Sequence, residues 1–197
     1  MPEPPGQLGL VGRLAVLERR LAELSRSGGN SGPVCTVHLA SDVGVPGATN
    51  VAMYVSWKPT AEVDTHDIWR YSVDGGSFML LPNAGRWLAH FHIAFPTALT
   101  GFDGNGRVVP NAVAGKIMRN GTVPTAHSVG TAAAMFSTYN VGTAPGEGTS
   151  LDVWVDHYVF SAGDRLYFGV WSRYPTSVLA QMLGVPTHAT VRYLGPE

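Results

Sequence analysis

Three things are scarce in this chain, and each scarcity excludes something. There is one cysteine, Cys35. No intrachain disulfide can form and no cysteine-based zinc site can be built, so Cys35 reads as a small buried apolar residue. Charge is scarce too: Asp, Glu, Lys and Arg make up 14% of the residues and the net charge is −1, against about a quarter of residues charged in an average domain. No basic block forms an electrostatic footprint for nucleic acid. A surface this poor in charge uses Ser, Thr, Asn and Gly as polar cover, or hides part of itself in an oligomer. Long apolar runs are the third shortage. No stretch reaches the ~18 residues of a membrane helix, and residues 1–9 lack the basic-then-apolar order of a secretory signal. The expectation is a protein made in a cytoplasm, without membrane insertion.

What is present is a chain of 197 residues with 45% hydrophobic content, 24 glycines and 14 prolines. That suits one ordinary domain plus an appendage, with many short strands joined by turns. The appendage comes first. After a Pro-rich segment (1–9), Leu10, Leu14, Leu17, Leu21 and Leu24 are spaced 4, 3, 4, 3, an a/d heptad seam that predicts a coiled-coil stalk over 10–26. Arg13 falls at g and Glu18 at the following e, the placement of an interchain pair in a parallel coil. A Gly/Ser linker (27–33) ends the helix. So few heptads hold chains together weakly, and Leu at both a and d does not choose between two and three strands. The domain after the linker must set the number of chains.

From residue 34 to 197 helical period gives way to alternation. Trp87, Ala89, Phe91, Ile93 and Phe95 alternate with Leu88, His90 and His92; Val51, Met53, Val55 and Trp57 alternate with Ala52, Tyr54 and Ser56. Further strands are expected at 34–39, 68–73, 77–81, 113–119, 131–140, 151–160, 165–173 and 188–194. About ten short strands with turns between them imply an all-β sandwich, best matched by a jelly roll. Two strands are apolar on both faces. In 151–160, Trp154 and Tyr158 oppose the core-type Val153 and Val155; in 165–173, Tyr167 and Trp171 oppose Leu166, Phe168 and Val170. A sandwich buries one face of each sheet, so these four aromatics are expected to meet a neighbouring subunit and, with the five leucines, to form the trimer contacts.

The run Phe78-Met79-Leu80-Leu81-Pro82-Asn83-Ala84-Gly85-Arg86-Trp87 resembles the phenylalanine, proline, glycine and aromatic pattern that opens the core of complement-type globular heads. Ser161-Ala162-Gly163-Asp164-Arg165-Leu166-Tyr167 is similar to the Gly-Asp turn before their penultimate strand, and 187–196 to their last strand. The resemblance covers about 34–197. It implies a tumour-necrosis-factor-like jelly roll forming a threefold head above a trimeric stalk. Phage virion proteins use the same plan, a short coil and then this head. The collagen stalk of the animal proteins is missing, since no Gly-X-Y repeat occurs.

Chemistry-bearing groupings are few. His90 and His92 flank Phe91 on one strand face, and around a threefold axis they would present six imidazoles, as His-X-His repeats do in phage fibres that this segment resembles. Interface histidines are the ordinary reading, and no metal or other cofactor is assigned. Asp103-Gly104-Asn105-Gly106 lacks the further carboxylate of a calcium loop and reads as a Gly-rich hairpin. Asp156 and His157 point to opposite faces of a strand. No Gly-X-Ser-X-Gly elbow, phosphate loop or HExxH pair occurs, so no catalytic residue and no enzyme is expected. Long segments 97–112, 141–150 and 173–186 are the recognition candidates, with Phe102, Asn105, Arg107, Tyr174 and Met182 as receptor-contact residues. The resulting expectation is a trimeric phage virion surface protein, a short tail fibre or knob. Its N-terminus would dock on other virion proteins and its head would bind host-surface glycan or protein. Alternatives are a capsid decoration or head-fibre protein, a bacterial binding module without a virion, and a hydrolase of cell-wall polymer.

Overall fold

The computed structural model describes residues 32–47, 53–54, 57–73, 76–96, 100–102, 105–121, 128–136, 149–156 and 158–197. The chain divides into two compact units, Met1–Gly32 and Pro33–Glu197. The docking segment, the heptad leucines Leu10 to Leu24 and most of the linker lie outside the described residues.

Among the described residues the second unit is all β. In chain order the strands are β1 Val34–His38, β2 Val43–Val45, β3 Met53–Tyr54, β4 Val63–Asp64, β5 Trp69–Arg70, β6 Phe78–Leu80, β7 Gly85–Phe95, β8 Thr100–Phe102, β9 Val108–Arg119, β10 Ser128–Phe136, β11 Thr149–Val155, β12 Val159–Phe160, β13 Arg165–Ser172, β14 Thr176–Val178, β15 Gln181–Met182, β16 Val185–Pro186 and β17 His188–Gly195. The first sheet runs β11-β7-β17-β1-β4, with β12 also on β7. The second runs β10-β9-β13-β6-β5, with β3 on β13 and β8 on β9. Every pairing is antiparallel. The first and last strands of the head, β1 and β17, lie side by side in one sheet.

The alternation along β7 works as expected: Trp87, Ala89, Phe91, Ile93 and Phe95 are fully buried, while Leu88, His90 and His92 are half-exposed on the other face. Phe91 from the first sheet meets Phe168 from the second at 5.7 Å, and Trp57 lies 5.7 Å from Phe91 and 6.0 Å from Phe168. These rings join the two layers, and edge-on or tilted contacts of this kind add to the area they remove from water. Gly115 on β9 faces the same core. A Cβ there would collide with the side chains of Ile93 and Val153, so glycine sets how closely the sheets approach.

The Gly-Asp turn has a physical basis. Gly163 sits at φ +86, and Asp164, only 4% exposed, accepts the backbone N–H of Ser161 (2.7 Å) and the Asn120 amide (2.6 Å) while pairing with Arg119 (2.9 Å). Asn120, at φ +52, accepts the Arg165 N–H through its side chain (2.7 Å).

Several expectations need correction. Of the segment 51–57, Met53 and Tyr54 pair with β13 in the second sheet and Trp57 bridges to Leu39 beside the first, while residues 51, 52, 55 and 56 lie outside the described residues. The strand expected over 151–160 ends at Val155 and restarts at Val159, so Tyr158 lies in the break. The loop expected at 173–186 contains β14, paired with β2, and the β15–β16 hairpin. That hairpin turns through Leu183 at φ +50 and Gly184 at φ +82, the signature of a tight two-residue turn. Its composition concealed three short strands. The segment 97–112 includes the β8–β9 hairpin, whose tip holds Asn105 and Arg107.

Candidate functional site

The outward face of the first sheet gathers most of the head's histidine. Register places Asp152 of β11 beside His92 of β7, His92 beside His188 of β17, and His188 beside His38 of β1. One row therefore crosses four neighbouring strands: Asp152, His92, His188, His38. The next row is Trp154, His90, Thr190 and Thr36, paired by the same three ladders. All eight side chains point the same way because residues two apart on a strand share a face.

The rows are bonded together. His90 donates through Nε2 to Asp152 Oδ1 (2.7 Å), and His92 donates through Nδ1 to the same oxygen (2.9 Å). The hydroxyls of Thr36 and Thr190 are bonded at 3.0 Å. His188 donates through Nδ1 to the carbonyl of Pro186 (2.9 Å) and stacks on His92 at 5.4 Å. His188 also lies 5.3 Å from His90 and 6.1 Å from His38. The Trp154 indole lies flat on His90, 3.7 Å away at 11°, yet keeps 55% of its surface exposed.

Burial is the larger influence on His90 and holds it below the usual histidine range, against the hydrogen bond and charge of Asp152. His38 is lowered in the same way, with Glu62 at 3.9 Å opposing. For Asp152, burial alone would raise the carboxyl; the hydrogen bonds from His92 and His90 outweigh it and the net direction is down. Burial thus favours the neutral form of His90 and His38, and a large indole lies on this face.

His90 and His92 do come together on one face, as the sequence implied. Among the described residues, however, no three His, Cys, Asp or Glu side chains are arranged to hold a metal ion; both imidazoles spend an N–H on Asp152. Sequence reasoning missed His38, His188, Asp152 and Glu62 as members of the group. Their only signal was odd-even position within each strand, and cross-strand register is not readable from one sequence.

The four aromatics assigned to the trimer contact do not share a surface. Trp154 and Tyr158 belong to the side of the first sheet and are exposed at 55% and 36%. Tyr158 accepts a hydrogen bond from Arg119 (2.9 Å) and packs on Phe160. Tyr167 and Trp171 lie on β13 in the second sheet. Tyr167 is only 8% exposed in the single chain and meets Phe78 at 5.5 Å, so no partner is required to cover it. Trp171 is half-buried beside Ala114.

The receptor-contact residues are also dispersed. Asn105 and Arg107 are exposed at the β8–β9 tip, and Phe102 ends β8. Tyr174 is held half-buried: its N–H donates to Asn111 Oδ1 (3.0 Å) and its carbonyl accepts the Ser172 hydroxyl (2.6 Å). Met182 ends β15. Beside that hairpin lies an open cleft of about 630 Å³ whose lining includes His38, Ser41, Asp42, Lys58, Gln181 and Pro186. Most of the segment 141–150, and His157, lie outside the described residues.

No family model matches the chain, and no curated protein matches it. Among solved structures it is similar to the structure of Eiger TNF from S. frugiperda, with 16% sequence identity and a TM-score of 0.54. The alignment covers 85% of this chain and 96% of that one. The fold is TNF-like. The jelly-roll expectation thus stands for the head, and the TNF-like sheet that carries β1 and β17 is the one bearing the histidine rows.

Proposed function

We propose that the chain is a trimeric binding and display module, in which TNF-like heads pack through the outward face of the first sheet and present their loops to a partner. The observation that carries this reading is the face itself. Trp154 is the most exposed tryptophan among the described residues, and it sits on a platform of histidine and threonine in place of lysine and glutamate. Surfaces that stay in water are usually charged, whereas interface centres are depleted of charge and enriched in aromatics. The heptad segment joins the head at β1, a strand of this same sheet. A Gly/Ser-rich segment of seven residues would span about 15 Å on average, so a parallel coil would hold the heads at high effective concentration.

The finer reading is a phage virion surface protein. Residues 1–9 and the coil would dock on other virion proteins, and the head would bind glycan or protein on the host surface. Its support is the order of parts: Pro-rich segment, short heptad seam, Gly/Ser linker, head. The fibre or knob location is preferred over a capsid decoration. A second reading, a bacterial TNF-like binding module without a virion, is favoured by the structural neighbour being a TNF. Neither reading gives the chain a catalytic residue, a cofactor or a nucleic-acid partner.

Sedimentation of the full chain tests the assembly. The expected result is a species of three times the 20.9 kDa chain mass, and a monomer at micromolar concentration contradicts it. Labelled full chain imaged on purified particles tests the virion reading: decoration at one end or on the capsid supports it, and unlabelled particles favour the free module.

A further inference from the structure

We propose that the histidine rows make assembly of the TNF-like heads acid-sensitive: copies dock through this face while its imidazoles are neutral and separate when they are protonated. The inference rests on the reading of this face as the copy-to-copy contact, and it adds regulation to that contact.

The geometry limits how much positive charge the face can hold. Four imidazoles lie in a chain with neighbouring rings 5.3 to 6.4 Å apart. Two of them share a single carboxylate oxygen of Asp152, which balances one imidazolium. Glu62, at 3.9 Å from His38, is the other carboxylate in reach, and it is 62% exposed. Asp64 on β4 is committed to the backbone N–H groups of Ile68 and Trp69, both at 2.8 Å. The remaining charged groups bordering the face are the carboxylate Asp156, just past β11, and three cations: Arg86 on β7, Arg192 on β17 and Lys58 near the end of β1. Full protonation therefore leaves the face net positive.

One ring ties the two rows together. His92 gives its Nδ1 hydrogen to Asp152, its Nε2 is buried with no hydrogen-bond partner, and its ring stacks on His188.

The sign follows from the bases involved. His90 and His38 are held below the usual histidine value of 6.5, first by burial. Covering the face with a second copy adds burial in the same direction. A base whose value is depressed in the assembled state contributes stability that is complete above its free value and is lost as pH falls through the depressed one. The single head is the free state here and its His90 and His38 already lie below 6.5, so assembly is complete at pH 6.5 and weakens as pH falls through their lowered values. One histidine per copy lowered by one further unit on assembly changes trimer association by about tenfold per copy, on the order of a thousandfold for three copies.

The test is sedimentation velocity of the full chain at about pH 7.5 and about pH 5, on either side of the histidine range, with far-ultraviolet circular dichroism at each pH. The expected result is trimer at the higher pH, dissociation at the lower, and an unchanged β signal. His188→Gln removes the ring that touches the other three; it should assemble at the higher pH and move the dissociation midpoint downward. His38→Gln, at the border of the face, gives the same direction with a smaller shift should His188→Gln fail to fold. A trimer that persists unchanged at acid pH overturns the inference while leaving the assembly intact. So does dissociation that tracks loss of β signal, or variants that dissociate as the unaltered chain does. A monomer at the higher pH overturns the assembly reading itself.

Discussion

Both sheets carry aromatic groups on their outward faces, but among the described residues these are completed differently. On the second sheet, Tyr167 is 8% exposed, Met118 is fully buried and Arg165 lies over Phe78 at 5.0 Å; the chain covers this face with its own atoms. On the first sheet, Trp154 is 55% exposed over a bed of histidine. An apolar residue on the second face of a strand is therefore not by itself a mark of assembly. The mark is an aromatic that its own chain supports from below and leaves open above.

That difference can be broken from several directions. Phe168→Ala should have the largest effect, since its ring joins both layers. It should lower head stability by about 3–5 kcal/mol, seen as a drop in thermal melting whatever the oligomeric state. Tyr167→Ala should come next. Burial within one chain predicts a loss of about 1.5–3 kcal/mol in the head's own denaturant unfolding, with the mass of the assembly unchanged until the head unfolds. Trp171→Phe is sharper. Its Nε1 is buried without a hydrogen-bond partner, so removing that N–H should be neutral or stabilising by about 1 kcal/mol, by the same unfolding measurement. Trp154→Ala should be the mildest for the single head, within about 0.5 kcal/mol, and its effect should be seen in sedimentation as weakened association.

Much of the fold was legible in the sequence. The 87–95 alternation marked the buried face of β7 correctly because a strand half in a core must alternate with period two. The Gly163-Asp164 turn was legible through its resemblance to the turn of complement-type heads, and its physical basis, a positive φ at Gly163 and a buried carboxylate with its donors, is seen only in the structure. Segment 173–186 misled, since Gly, Pro and Thr mark turns, and three strands of two or three residues fit between such turns. Where Trp154 and Trp171 lie relative to each other was not legible: facing within a strand is local, but which sheet the strand joins is decided by long-range pairing, and β11 and β13 join different sheets. The histidine row was illegible on the same ground. His38, His92, Asp152 and His188 are far apart in sequence and become neighbours only through the β1–β17–β7–β11 register.

Acid titration examines regulation; the covering of the first sheet can be examined more directly at one side chain. Hydroxyl-radical footprinting of the full chain at neutral pH, read by mass spectrometry at Trp154, compares its reactivity in the assembled protein with that in a dilute or dissociated sample. If copies pack on this face, Trp154 should be protected in the assembly and reactive after dissociation, while Tyr167 stays protected in both. If Trp154 remains as reactive in the assembly as its exposure in the single chain implies, the first sheet is not the contact between copies.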